Sequence, residues 1–356
     1  MDATDFIWMG TKIFFLVAIL LQVVPIMVWV ERRGSALMQN RLGPNRVGPL
    51  GLLQSLADVV KFMWKEDPIP GHVFGGYYLL APLISLVPAF MTFAVIPFAA
   101  PIVLEGRVFT FQVADLNVGL IYVLSLASLG VYGIIMAGWA SRNKYAMLGS
   151  LRSSSQMISY ELAMGFAIVG IVMLFSSVKL GEIAAQQGTL FAWGLPRWGI
   201  FLQPLGFLIF FVTIFAETNR LPFDLPEGES ELVAGYHLEY GSMKFAMFMM
   251  AEYLNMLTAS GMLVTLYLGG FQLFPGLPSL LSWIQQWYPS EILRVLFEMG
   301  SFGLKVAFVM WVFVWVRWTL PRFRYDQLME LGWKVLLPLS LVNVLVTAFF
   351  INCGWI

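Results

Sequence analysis

Thr11-Lys12-Ile13-Phe14-Phe15-Leu16-Val17-Ala18-Ile19-Leu20-Leu21-Gln22-Val23-Val24-Pro25-Ile26-Met27-Val28-Trp29-Val30 is a twenty-residue run with a single charge near its start. As an α-helix such a run rises about 30 Å, the thickness of the hydrocarbon core of a bilayer. Further apolar runs of spanning length occur at about 77–100, 118–140, 155–176, 199–216, 243–268, 298–318 and 334–353. Of 356 residues, 59% are hydrophobic and only 12% are charged, against about 25% charged in soluble domains. The sequence predicts an all-α integral membrane protein, a single polytopic domain over 1–356 with eight transmembrane helices.

Lys and Arg divide unequally between the loops. Fifteen of the 21, among them Arg32, Arg33, Arg41, Arg46, Arg142, Arg152, Arg220, Arg317, Arg322 and Arg324, follow the odd-numbered runs. Lys12, Arg107, Lys179, Arg197 and Arg294 lie on the other side. The positive-inside rule places the arginine-rich loops inside and both termini outside. The first inner loop is long. Within it, 51–64 carries Leu53, Leu56, Val60, Met63 and Trp64 as an apolar stripe, with Gln54, Asp58 and Lys61 on another face. That pattern predicts an amphipathic helix lying along the interface, with Asp58 facing either water or a cavity against the bundle.

The acids are concentrated in one loop, which holds Glu217, Asp224, Glu227, Glu229, Glu231 and Glu239. Acidic runs usually face water, yet this one is interleaved with Leu225, Leu232, Val233, Tyr236 and Tyr240, as suits a segment packed against protein. Glu161 and Glu252 fall inside apolar runs, where a carboxylate costs a few kcal/mol and usually faces the bundle interior or a water-filled path. Such groups can exchange protons when a neighbour's charge changes; a neutral Glu hydrogen-bonded between helices is the plainer alternative. Lys305, within the seventh run, is open to snorkelling or pairing. Arg317, Arg322 and Arg324 alternate with Trp318, Phe323 and Tyr325, either as a basic and aromatic anchor or as partners of the acidic loop.

Several chemistries lose support. Cys353 is the only cysteine, which leaves no internal disulfide and no cysteine-held zinc or iron–sulfur site. His72 and His237 fall in loops, against paired haem ligation. The acidic spacing does not fit a calcium loop, and the zero net charge gives no support to nucleic-acid binding. The N-terminus does not read as a cleavable signal. No metal and no redox cofactor of its own are expected.

Seven stretches together resemble the quinone-site membrane subunit, the H-type subunit in bacterial naming, of proton-pumping NADH:quinone oxidoreductase, respiratory complex I. They are Glu31-Arg32-Arg33-Gly34, Gln39-Asn40-Arg41-Leu42-Gly43-Pro44-Asn45, the 54–68 segment ending Lys65-Glu66-Asp67-Pro68, Gly138 to Tyr145, Ser159-Tyr160-Glu161, Ala216 to Tyr240, and Pro321-Arg322-Phe323-Arg324-Tyr325-Asp326. The resemblance implies a bacterial inner-membrane subunit at the junction with a peripheral arm, where it forms much of the chamber for a quinone head group. Arg32, Arg41, Asp58, Phe223 and Asp224 would lie at that chamber. Tyr160, Glu161, Glu217, Glu227, Glu229, Glu231, Glu239 and Glu252 would carry coupling into the membrane, and Arg220, Arg317, Arg322 and Arg324 would balance their charge. Quinone is then the substrate, and NADH, FMN and the iron–sulfur clusters, the terminal one included, belong to partner subunits. Small membrane subunits and antiporter-like subunits are the other implied partners. Two rivals share the intramembrane acids: a membrane subunit of an energy-converting hydrogenase, and a stand-alone cation/proton antiporter. The arginine-rich 31–46 segment favours the quinone enzyme, and the acid at Glu252 favours its respiratory branch over the photosynthetic relatives.

Overall fold

The first apolar run lies inside a longer helix, α1 (Ala3–Met38), which continues through Glu31-Arg32-Arg33 without a break. In the computed structural model, which describes residues 3–104, 107–189, 196–225, 233–274 and 291–354, α1 leads to the expected interfacial helix, α2 (Gln54–Trp64). Then come α3 (Gly75–Thr92), α4 (Gly119–Ala140), α5 (Lys144–Phe175), α6 (Leu180–Gln186), α7 (Gly199–Leu202) and α8 (Pro204–Glu217). The chain ends with α9 (Ser242–Tyr267), α10 (Glu291–Thr319), α11 (Tyr325–Glu330) and α12 (Leu337–Asn352), the last two joined by a π-helical turn at Leu331–Leu336. Among the described residues the one sheet is a hairpin of β1 (Ile102–Leu104) and β2 (Arg107–Phe109).

Six stretches are long and apolar enough to cross a membrane: Ile7–Met38, Gly75–Val95, Gly119–Ala140, Lys144–Phe175, Glu291–Thr319 and Tyr325–Asn352. The other two expected spans depart from that pattern for local reasons. The 199–216 run is divided at Gln203, whose φ of −136° and ψ of 69° leave the helical region just before Pro204. That leaves α8 with 14 residues, a rise of about 21 Å. Helix α9 has 26 residues, but Lys244, Glu252, Asn255, Thr258 and Ser260 dilute its apolar character.

Helix α5 is the axis of the bundle, in contact with α4, α8 and α12, while α9 packs against α3 and α10. Close approach depends on glycine. A Cβ on Gly133 would stand 2.1 Å from Ser85 Oγ on α3, and one on Gly138 would stand 2.1 Å from Ser150 Oγ on α5. In a membrane, where lipid removes the hydrophobic drive between helices, such small-residue seams bring backbones into dispersion contact.

At the arginine-rich end, the start of α9 is fastened to α2 and α3. Ser242 Oγ donates to the carbonyls of Phe62 (2.7 Å) and Lys65 (3.0 Å), and Lys244 pairs with Asp67 at 2.9 Å. Tyr78 and Tyr240 stack at 4.2 Å; Tyr78 donates to the Glu239 carbonyl and Tyr240 to the Tyr78 carbonyl. Burial raises the Tyr240 phenol above its usual range. His237 is buried edge-on to Tyr236 and Phe245, and that burial pushes its imidazole down to about 4.

Two measurements check this packing. Gly138→Val forces a branched side chain into Ser150 and is expected to cost about 1–3 kcal/mol, read as a lower melting temperature in detergent and a lower yield of assembled complex. His237 is neutral when folded, so the stability it confers is full above about pH 6.5 and is lost as pH falls toward 4. At pH 5 the loss is about 2 kcal/mol by proton linkage. His237→Gln should therefore flatten the fall in melting temperature between pH 7.5 and pH 5; an unchanged slope would place the acid sensitivity elsewhere.

Candidate functional site

Helix α8 ends where Asn219 takes a left-handed φ of 50° and Arg220 N returns to the Phe215 carbonyl at 3.1 Å. A left-handed residue closing a helix C-terminus turns the chain sharply. The turn aims Arg220 back into the bundle, where only 7% of its side chain is exposed. Arg220 Nη1 donates to both oxygens of Glu31, at 3.2 and 3.3 Å, and its Nε lies 2.6 Å from Glu252 Oε1. Its guanidinium covers the Tyr253 ring at 4.5 Å, and the Tyr253 hydroxyl donates to Glu31 Oε2 at 2.7 Å. Arg317 from α10 also donates to Glu31. Two carboxylates and two guanidiniums from α1, the 217–220 turn, α9 and α10 thus meet in one buried, charge-balanced cluster.

The same turn places Phe223 and Asp224. Phe223 is buried with its ring 5.4 Å from both Tyr160 and Phe323, while Asp224 accepts from Arg322 Nη2 at 2.9 Å. Tyr160 donates to the Leu328 carbonyl at 2.9 Å, and its ring lies against Gly332 of the π-helical turn. Trp333, in that turn, donates to Ser159 at 3.0 Å. The 220–224 segment is therefore held between α5 and the start of the last helical rod.

From Glu252 a line of polar groups runs deeper. Glu252, Glu217 and Asn255 share a cavity of about 30 Å³. Glu217 and Asn255 also line a second cavity of about 50 Å³ that reaches Thr92, Thr258 and Met262. Each volume suffices for water, which needs about 10–15 Å³ of this measure. Among the described residues Glu217 Oε2 is buried with no hydrogen-bond partner. Glu161, to which Ser128 donates, lies on α5 within a turn of Met157 and Met164, which line the first and second cavity. Beyond Met262 the two cavities end against packed apolar side chains. Phe93, Ile96, Leu263 and Leu266 are all under 5% exposed, and Ile96 packs onto Gly261.

On the other side of α1 an open cavity of about 520 Å³ is lined by Arg32, Ser35, Arg41, Leu42, Gly43, Pro44 and Gln54. Its volume is in the range of small-molecule sites. Asp58, the one acid of α2, is bonded to two of these residues: Arg32 donates to it, and Gln54 Nε2 donates at 3.1 Å. Lys61 lies 3.9 Å away. Arg41 Nε donates to Gln39 at 2.7 Å.

The sequence-predicted residues therefore fall into distinct groups. Arg32 and Arg41 line the open cavity and Asp58 is bonded to its Arg32 and Gln54; Arg220, Arg317 and Glu252 form the buried cluster; Tyr160, Phe223, Asp224 and Arg322 hold the turn; Glu217 lies on the polar line, with Glu161 beside it on α5. Glu239 is elsewhere, accepting from Asn143 Nδ2 at 2.8 Å with His72 Nε2 at 3.7 Å. Arg324 pairs at the surface with Asp326 at 2.9 Å. Glu227, Glu229 and Glu231 lie outside the described residues. Lys305 neither snorkels nor finds an acid among the described residues: it donates to the carbonyls of Gly270 (3.1 Å) and Gln272 (2.6 Å) beneath the Trp198 ring. Sequence reasoning passed over Glu31, Tyr253 and Asn255 as site residues. Glu31 beside Arg32-Arg33 reads as the hydrated end of a span, and only the extension of α1 by two more turns puts it inside.

Comparison with known proteins shows the family. A family profile described as NADH dehydrogenase matches residues 11–348. The H-type subunit of the NADH-quinone oxidoreductase of Bdellovibrio bacteriovorus is 47% identical, over 96% of this chain and 95% of its own length. Its counterpart in Salinibacter ruber is 48% identical over 96% and 95%, and the second of the H-type subunits of Geobacter sulfurreducens is 46% identical over 99% and 98%. With the profile covering most of the chain and such relatives matching it nearly end to end, the chain belongs to the NADH dehydrogenase family, as a membrane subunit of the H type within complex I.

Proposed function

We propose that this chain forms much of the chamber in which complex I reduces quinone, and that it couples that reduction to proton movement through its buried carboxylates. The reading rests on one observation: α1 presents Arg32 to the open cavity and the adjacent Glu31 to the buried cluster. A change of charge in the cavity is thereby felt one residue away, where Glu31 and Glu252 share Arg220. The cavity suits a quinone head group. Arg32, Arg41, Ser35 and Gln54 offer donors to two carbonyl oxygens, and Leu42 and Pro44 offer apolar faces. By the resemblance, Phe223 and Asp224 belong to the same chamber, and Glu227, Glu229, Glu231 and Glu239 belong to the carboxylates that carry coupling into the membrane.

In this scheme quinone reduction draws protons and alters the charge near Arg32 and Asp58. The balance of Glu31, Arg220, Glu252 and Arg317 shifts in response, and Glu217 and Glu161 take up or release protons through water in the two small cavities. Arg322 steadies the loop through Asp224, and Arg324 adds positive charge at the same face. Neighbouring antiporter-like subunits then move protons across. Electrons arrive from partner subunits that hold NADH, FMN and the iron–sulfur clusters, the terminal cluster being in a peripheral-arm subunit. All eight helices cross a bacterial inner membrane, α8 and α9 included, with the arginine-rich loops on the cytoplasmic side and both termini periplasmic.

Two variants in otherwise intact complex, assayed for NADH-driven quinone reduction and simultaneous proton translocation, test the scheme. Asp58→Asn removes the charge-assisted bond to Arg32, worth about 1.5–3 kcal/mol, and is expected to lower quinone reduction by about tenfold or more; full activity would remove the cavity from the quinone path. Glu217→Gln deletes a titratable oxygen without breaking a hydrogen bond, so assembly should persist while protons moved per quinone fall. An unchanged ratio would exclude Glu217 from coupling.

A further inference from the structure

We propose that the slot between the N-terminal turns of α1 and the segment following β2 binds one acyl chain of an anionic phospholipid, whose phosphate is held by Lys12. On α1 the slot is lined by Trp8, Thr11, Lys12, Phe15, Leu16 and Ile19. These positions recur at intervals of three and four, so they form one face of the helix. Phe98, Phe111 and Met299 are among the residues that close the other side. The volume is about 210 Å³, below the roughly 300–1,000 Å³ that encloses a compact ligand such as a ring system. An extended chain fits that shape better than a head group does.

The position of Lys12 supplies the head-group end. Its Nζ donates to Thr110 Oγ1 at 2.9 Å and to the Gln112 carbonyl at 3.1 Å. The adjoining Val113 and Ala114 amides both bond the Ala94 carbonyl at 3.0 Å, at the end of the Gly75–Val95 span. Lys12 is thereby level with the membrane boundary opposite the arginine-rich loops. Phe15, Leu16 and Ile19 follow one to two turns deeper, and Trp8 lies one turn above, its ring 5.6 Å from the amine. An ammonium has three donors. Two are used by neutral oxygens, and among the described residues no carboxylate lies within ion-pair distance of Lys12; the nearby Asp115 is paired with Lys179 at 2.9 Å. A third N–H and an unbalanced charge remain for a phosphate, directly above an apolar slot open to lipid.

The test uses intact complex in phosphatidylcholine nanodiscs doped with a trace of diazirine-acyl phosphatidylglycerol or diazirine-acyl phosphatidylcholine, with crosslinked sites mapped by mass spectrometry. Phosphatidylglycerol is expected to label Phe15, Leu16, Ile19, Phe98 or Met299 about fivefold more than phosphatidylcholine, the factor given by about 1 kcal/mol per basic residue at an anionic surface. Lys12→Gln should bring the two lipids to equal labelling, Lys12→Arg should retain the preference, and Ile19→Trp should block the slot to both. Equal labelling in the wild type, or a preference that survives Lys12→Gln, would overturn the assignment of Lys12. No lipid labelling in the slot, or labelling there by a photoreactive quinone instead, would overturn the lipid as its occupant.

Discussion

Arg220 is one cation held between two carboxylates, and the arrangement of four structural elements depends on it. Glu31 approaches from α1 and Glu252 from α9, while Arg317 on α10 takes a further share of Glu31. Burying four charges is costly, and attraction between the partners compensates only when each is well hydrogen-bonded. Here Tyr253 supplies the remaining donor to Glu31 and lays its ring under Arg220. Removing any one member would leave an uncompensated charge at a cost of about 3–5 kcal/mol. The cluster is therefore rigid in composition and sensitive in balance. One added proton changes which acid holds Arg220.

The aromatic turn beside it has a complementary role. Phe223 is wedged between Tyr160 and Phe323, and Asp224 is tied to Arg322, so the 223–224 end of the turn rests on α5 and on the residues that lead into the last helical rod, while Arg220 at its other end joins the buried cluster. A π-helical turn widens that rod beside Tyr160, and Gly332 gives the ring room. Such turns are frequent at functional sites, since they realign a helix face by part of a turn. The structure thus sets a turn held by ion pairs and aromatic contacts against a rod with irregular winding.

Most of the long helices, the short amphipathic helix α2 and two residues of the open cavity, Arg32 and Arg41, could be read from apolar run length, amphipathic spacing and motif resemblance. Glu252 was visible because a charge inside an apolar run is expensive and stands out. Glu31 was hidden by its neighbours, since an acid followed by two arginines reads as a hydrated boundary. Asn255 carries no charge and gives no signal at all. Arg220 is in a polar stretch of sequence but buried in space, and only the left-handed turn at Asn219 reverses its direction. The weak apolar character of α9 comes in part from the site itself: Glu252, Asn255 and Thr258, three of the polar residues that dilute the span, line the two small cavities.

The packed apolar layer formed by Phe93, Ile96, Leu263 and Leu266 gives the site an electrical property. Glu252 and Asn255 lie near the middle of the 26 residues of α9, with water-sized cavities on one side of them and packed hydrocarbon on the other. A membrane voltage falls mainly across the region of low dielectric, as it does across the insulator of a capacitor. Crossing the full potential is worth about 2.3 kcal/mol per charge for each 100 mV, and a packed apolar layer takes a larger share of that drop than the water-sized cavities beside it. The layer thus acts as a thin insulator. It concentrates the field just beyond the carboxylates, and it sets four apolar side chains in the way of any proton that leaves them on that side.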